Sequence, residues 1–237
     1  MPPAVRPPAD PGTALPGREG ATPVEMPQGL AVSQLRRLRR IVDAAVTLAE
    51  KGGFEGVRLR EVAETAQVAL GTLYKYFRSK EDILLFVLQE ETQRLERAML
   101  ERPPRGDTPL DRVDDFFERS TRAFLRRSQL ARAVLRSLTA GDEEVAVKVA
   151  SYQIRMMCLI LGALAGGAPP TEEELIRGAV SERDRTVAFT LLHVWFASLV
   201  GWAGGLHPAR EVARSVREAA SLMIEPGRRS ASSGEDS

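Results

Sequence analysis

A chain of 237 residues with 43% hydrophobic side chains can build a sizeable core, in one large domain or two small ones. Its formal charge of +1 excludes a uniformly basic or acidic protein, so a polyanionic partner would have to meet a local patch. A single cysteine, Cys158 in the apolar run MMCLILGALA, excludes an intrachain disulfide framework and points to a reducing, cytoplasmic setting.

Residues 1–32 hold eight of the fifteen prolines and no continuous apolar run, which predicts a disordered arm rather than a secretory signal. From Ser33 onward helical spacing recurs and nothing alternates convincingly with period two, so the predicted fold is all-α. Helix one starts at Ser33 and places Leu35, Leu38, Ile41, Val42, Ala45, Leu48 and Ala49 on one face before KGGFEG ends it. Leu59, Val62, Ala63 and Ala66, at i, i+3, i+4 and i+7, predict a two-turn second helix, and Gln67, Val68 and Ala69 connect it to a third. Ser79 with Asp82 three residues on resembles a capping box that opens helix four, which runs through Ile83, Leu84, Val87, Leu88 and Leu95 until ERPPRGDTP breaks it. Longer helices follow at about 109–127, 129–139, 142–165, 181–202 and 208–224, and residues 226–237 read as a disordered tail. The chain thus divides into a compact three-helix unit, 33–80, and a larger, more apolar bundle, 81–225. Residues 31–80 contain ten Lys or Arg against five acids, so the basic excess lies in the first unit.

Residues 68–82, VALGTLYKYFRSKED, crowd Tyr74, Tyr76 and Phe77 behind a glycine and a threonine and ahead of several cations. Two short helices joined by three residues, the second opening on glycine and small polar side chains, have the layout of a helix-turn-helix. A seven-residue helix rises about 10 Å and suits a major groove roughly 12 Å wide. Gly71 leaves the helix start bare for a phosphate, while Thr72 offers a hydroxyl to phosphate or base and a methyl to thymine. Tyr74 and Tyr76 project on different faces and can donate to phosphate oxygens, with Lys75 and Arg78 adding charge. Leu73 and Phe77 face inward, and Lys80 adds a cation to the first turn of helix four. The alternative, core aromatics beside a solvated cationic face, suits each residue singly but not their order and spacing together.

The stretch GGFEGVRLREVAETAQVALGTLYKYFRSKEDIL resembles the N-terminal DNA-binding domain of the TetR family of transcriptional regulators over about residues 35–85. Carried over by position, the resemblance implies double-stranded DNA contacts at Leu70, Gly71, Thr72, Tyr74, Lys75, Tyr76 and Lys80, with Arg58 against the backbone. Two positions depart from the family pattern: Ala69 stands where many members place a serine cap, and Leu59 replaces the common threonine. Both leave the phosphate contacts in place and bear on base preference.

The larger unit is then expected to dimerise and to sense. The uncharged run VAFTLLHVWFASLVGWAGGL, 187–206, is about long enough to span a bilayer, but its polar residues and terminal glycines favour burial in a core or interface, with no membrane partner. The resemblance implies a homodimer through the last two helices, with Leu199, Trp202, Val212 and Val216 as interface candidates. Phe116, Phe117, Phe124, Tyr152, Met156, Met157, Phe189 and Trp195 are candidates to line a cavity for an apolar small-molecule effector. RRSQLARAVLRSLTA and the tryptophan-bearing helix resemble the branch of the family that represses lipid and sterol catabolism in response to acyl-CoA thioesters, making acyl-CoA one candidate effector. Arg122, Arg126, Arg127, Arg132 and Arg136 could meet its phosphates or simply form solvated helix faces. An enzyme is disfavoured: there is no phosphate loop or CxxC, His193 and His207 have no evident catalytic or metal partner, and no cofactor or metal is expected. An activator, or a DNA binder without an effector, stays open beside the expected ligand-released repressor of a near-palindromic operator.

Overall fold

The computed structural model of the chain describes residues 32–139 and 143–224; the expected disordered tail and, but for Val32, the expected arm lie outside the described residues. Among the described residues there are ten helices and no strand: α1 (Val32–Gly56), α2 (Leu59–Thr65), α3 (Leu70–Leu73), α4 (Lys80–Glu101), α5 (Pro109–Leu125), α6 (Ser128–Ser137), α7 (Glu143–Ala165), α8 (Glu172–Ile176), α9 (Glu182–Ala203) and α10 (Arg210–Ile224). The architecture is all-α, as the spacing of apolar residues requires.

Local chemistry sets the boundaries. In α1 the expected face is buried through Leu38, Ile41, Val42, Ala45 and Ala49, and the KGGFEG stretch kinks the helix at Gly53, whose φ of 59° and ψ of −152° suit a residue without a Cβ. The link from α2 to α3 has no glycine. Gln67 itself takes the left-handed conformation, φ 52°, and Val68 N–H reaches back to Ala63 O at 3.0 Å, closing the end of α2. Ser79 Oγ accepts from Asp82 N–H at 3.1 Å and opens α4, as its sequence spacing predicts. Thr108 and Asp111 form a capping box at α5, with Pro109 in the first turn, and Thr171 with Glu174 does the same for the short helix α8, which the predicted elements did not include.

Gly106, just ahead of the α5 cap, has φ 140°, and a Cβ there would lie 2.3 Å from Asp111 Cβ and 2.9 Å from Asp111 carbonyl carbon. Gly106→Ala is therefore expected to destabilise the chain by roughly 2–3 kcal/mol, since backbone must move as well as φ, and urea unfolding would measure it.

Three arginines reach across the bundle to helix C-termini, where unpaired carbonyls gather partial negative charge. Arg119 donates to Ala98 O (3.2 Å) and Arg102 O (2.8 Å) at the end of α4. Arg112 donates to Ala163 O and Leu164 O, both at 3.0 Å, at the end of α7. Arg132 donates to Trp202 O and Ala203 O at the end of α9, its guanidinium 4.4 Å above the Trp202 ring. Arg132 is thus a packing residue rather than part of a solvated face.

The buried side chains form two cores. One gathers α1, α2, Leu73, Phe77 and the first half of α4 through Leu88, and extends past residue 80 to take in Leu130, Ala133 and Val134 of α6. The other gathers α5, α7, α9 and α10 with Ala131 and Leu135 of the same α6. Helix α6 therefore faces both cores, and it is fastened to α1 by Arg127–Glu50 at 2.9 Å and Arg136–Glu55 at 2.7 Å. Arg136 also lies 4.5 Å over the Phe54 ring. Helices α7 and α9 are each long and apolar enough to cross a membrane, but both contribute buried residues to the second core.

Candidate nucleic-acid interface and effector cavity

The segment after α2 forms the expected second element of a helix-turn-helix, though shorter than the seven residues anticipated. Regular helix ends at Leu73, and the backbone then tightens: Lys75 N–H donates to Thr72 O and Tyr76 N–H to Leu73 O, three residues back. Ala69, at the cap position, supplies no side-chain hydrogen bond, as the missing serine implied. Leu73 and Phe77 are buried and anchor the segment, and Phe77 meets Phe86 of α4 edge-on at 5.5 Å.

What remains outward is small, cationic or, at Tyr74, phenolic. A Cβ on Gly71 would meet nothing within 4 Å, so the start of α3 presents bare backbone to solvent. Tyr74 is 52% exposed, Lys75 is exposed with no acidic partner among the described residues, and Thr72 is half-buried between them. Arg58 is exposed before α2 and pairs with Glu61 at 3.2 Å, a surface contact worth little and easily exchanged for a phosphate. Leu70 packs partly on the first core.

Two expected contacts are used inside the chain instead. Tyr76 packs against the first core and its hydroxyl donates to Gln34 O at 3.4 Å, tying the segment to α1. Lys80 donates to Phe54 O at 3.3 Å, sits 3.8 Å over the Phe54 ring and lies 3.6 Å from Glu55. Its ammonium closes the kinked end of α1 onto α4, because the Gly53 kink turns a carbonyl, a ring and a carboxylate toward it. Lys80 is a positioning residue in this arrangement rather than an outward cation.

A narrow cavity of about 60 Å³ lies between α4, α5, α6 and α7, with Trp195 of α9 at its floor. Of the eight candidates, Phe124, Tyr152, Met156 and Trp195 line it. Phe116 and Phe117 are fully buried in the second core, packed edge-on at 5.1 Å, and Met157 packs beside that core. Phe189 is corrected outright: it is 50% exposed on the outer side of α9, stacked on His193 at 4.0 Å between centroids. Sequence periodicity marks all eight as apolar helix residues and cannot say which side of the helix each takes.

Three polar groups of the cavity wall are satisfied within the chain. Trp195 Nε1–H donates to Thr121 Oγ1 at 2.9 Å, Ser120 to Phe116 O at 2.7 Å and Thr92 to Leu88 O at 2.8 Å. Burial pushes the Tyr152 phenol far above its ordinary range, so it is a neutral hydroxyl at physiological pH. Burial likewise pushes the Cys158 thiol up to about 11, in keeping with an unreactive core residue. At the mouth stand Glu91, Arg126 and Arg127; Glu91 pairs with Arg94 at 2.6 Å, Arg127 with Glu50, and Arg126 is exposed without an acidic partner among the described residues. Val87, Leu88, Leu130 and Val134 line the cavity and belong to the first core at once.

One residue missed by sequence reading connects this region to the helix-turn-helix. Asp82 accepts from Arg78 N–H at 3.1 Å, takes part in the cap of α4, and is paired with Lys148 of α7. Its signal in sequence was the cap spacing alone; the partner lies 66 positions away.

The proposed interface residues are also corrected. Leu199, Trp202, Val212 and Val216 are 1%, 8%, 0% and 1% exposed, buried within one chain because α10 folds back on α9 after the GGLHP turn. On the outward side of α9 Phe189, His193 and Val200 are exposed and Phe196 is half-buried against the second core, the four falling within about 60° of one another at about 100° per residue. Gly201 receives the His207 ring: a Cβ there would lie 2.6 Å from Nε2.

Residues 41–87 match the family described as bacterial regulatory proteins, tetR family, and residues 106–223 match the tetracyclin repressor-like C-terminal domain. The HTH-type transcriptional repressor KstR of Rhodococcus jostii (strain RHA1) is 34% identical over 197 residues, covering 83% of this chain and 87% of the relative. A TetR transcriptional regulator from Rhodococcus sp. RHA1 superposes with a TM-score of 0.67 at 26% identity, over 81% of this chain and 98% of the other. The regulator FadR of Bacillus subtilis, solved in complex with stearoyl-CoA, shares the fold at 21% identity with a TM-score of 0.59, over 80% of this chain and 99% of its own. With both its helix-turn-helix and its helical C-terminal part accounted for, the chain belongs to the tetR family of bacterial transcriptional regulators, DNA-binding proteins rather than enzymes.

Proposed function

We propose that the chain is a ligand-released homodimeric repressor that binds a near-palindromic operator, with an amphipathic acyl-CoA as effector. The observation that carries this reading is the sharing of Val87, Leu88, Leu130 and Val134 between the cavity wall and the core of the DNA-binding unit. Ligand pockets usually measure about 300–1,000 Å³, far more than the space present here, so an effector must widen the cavity by moving its walls, α4 and α6 among them. Moving them displaces side chains on which α1–α3 rest. Arg126 at the mouth is placed for an anionic headgroup, and the apolar interior for the chain. FadR of Bacillus subtilis, solved with stearoyl-CoA, supports the same ligand chemistry, and the relative KstR, a transcriptional repressor, supports the repressor role.

In the operator-bound dimer, Gly71, Thr72, Tyr74 and Lys75 of each subunit enter successive major grooves, with Arg58 on the backbone. To turn occupancy from 1:99 to 99:1, the effector must prefer the released state by about 5.5 kcal/mol. The Lys148–Asp82 pair carries part of that preference, since it joins α7 beside the cavity to the start of α4.

Fluorescence anisotropy on the upstream intergenic DNA against a scrambled duplex, at one near-physiological salt concentration, tests the reading. Nanomolar binding to the native fragment alone, released by stearoyl-CoA, is expected. Equal binding to both duplexes would overturn operator recognition, and specific binding indifferent to stearoyl-CoA would overturn the effector assignment. Lys148→Met is expected to narrow the gap between operator affinities with and without stearoyl-CoA by about tenfold, without abolishing ligand binding.

A further inference from the structure

Tyr152 borders three separate spaces: the cavity of about 60 Å³, a cleft of about 410 Å³ toward the helix-turn-helix, and a space of about 230 Å³ beneath α9. Its ring is the partition between them, together with Leu88 and Thr92 on one side and Trp195 on the other. The other polar groups along the inner wall are already satisfied, Trp195 by Thr121 and Ser120 and Thr92 by their own helices. The Tyr152 hydroxyl is the exception: it has no hydrogen-bond partner among the described residues, and its half-buried side chain leaves it open to the spaces it borders. An apolar chain laid against that hydroxyl would strip it of water with nothing in exchange, whereas a ligand oxygen placed there would replace the lost bond.

We infer that Tyr152 selects the effector, its hydroxyl hydrogen-bonding an oxygen carried within the ligand's apolar body, so that an oxygenated acyl chain fits better than a saturated one. The same ring, displaced by the ligand, joins the small cavity to its neighbours and gives the chain room. Tyr152 lies one turn from Lys148 on α7, so its displacement acts on the helix that holds Asp82. This inference rests on the acyl-CoA reading of the cavity.

Calorimetric titration of the full chain with stearoyl-CoA and with a positional series of hydroxystearoyl-CoA isomers tests it, in the natural protein and in Tyr152→Phe, which keeps the ring. At least one isomer is expected to bind about tenfold more tightly than stearoyl-CoA, an advantage lost in Tyr152→Phe while stearoyl-CoA affinity is kept. If stearoyl-CoA binds and no isomer exceeds it, or if the advantage survives Tyr152→Phe, the inference is overturned and the acyl-CoA reading stands. If neither stearoyl-CoA nor any isomer binds the natural protein, both fall.

Discussion

Replacing Lys75 with Glu is expected to weaken operator binding about a hundredfold while leaving the thermal unfolding midpoint within a degree or so of the natural protein. Lys75 is exposed, lacks an acidic partner among the described residues and touches neither core, so its removal takes nothing from the fold. On DNA the variant both loses a cation and places a carboxylate against phosphate, which should lower the salt slope by about two counterions. Tyr74→Ala should act in the same direction more weakly, because a half-exposed ring contributes contact rather than charge. Lys80→Ala provides the contrast. It is expected to lose stability along with DNA affinity, since Lys80 holds Phe54 O, the Phe54 ring and Glu55 together at the end of α1. If Lys75→Glu left operator affinity intact, the third element would not be the groove-reading one.

Much of this arrangement is legible in the residues. The spacing of Leu38, Ile41, Val42 and Ala45, the Ser79–Asp82 cap and the inward pair Leu73 and Phe77 each follow from local rules that tertiary packing did not override. The helix-turn-helix was readable because its geometry is set within about twenty residues. What periodicity could not give was the identity of the surface each apolar face meets. Leu199, Trp202, Val212 and Val216 have the spacing of an interface and serve an internal contact, whereas Phe189, placed by residue type in the cavity, lies outside. Helix α6 shows the same limit more sharply: Leu130 and Val134 serve one core, Ala131 and Leu135 the other, and nothing in RRSQLARAVLRSLTA distinguishes a helix apolar for two neighbours from one apolar for one. Lys80 misled for a different reason. A lysine opening a helix beside a DNA-reading segment satisfies the rule for an anion site, and only the Gly53 kink, which brings Phe54 and Glu55 to it, redirects the charge inward.

The correction on α9 leads to the second large effect. Phe189 and Val200 are 50% and 45% exposed and lie three turns apart on one strip, with His193 and Phe196 between them. An apolar strip of that length along a core helix is a patch that association would cover. The double variant Phe189→Arg, Val200→Arg is expected to sediment as a monomer at micromolar concentration and to bind the operator at least a hundredfold more weakly. Arginine at both positions sets like charges against each other in a two-fold contact and leaves the chain's own core untouched, as neither side chain belongs to it. The added charge would by itself strengthen non-specific DNA binding, so a loss of affinity can only come from losing the second half-site. Trp202→Ala offers the opposite signature. It empties an internal contact beneath Arg132 and is expected to cost about 3–5 kcal/mol of stability in the chain before any effect on association, because the residue is buried with or without a partner. A double arginine variant that remained dimeric would move the contact to α10, where Leu222 is 65% exposed, and the half-site geometry would have to be rebuilt around that helix.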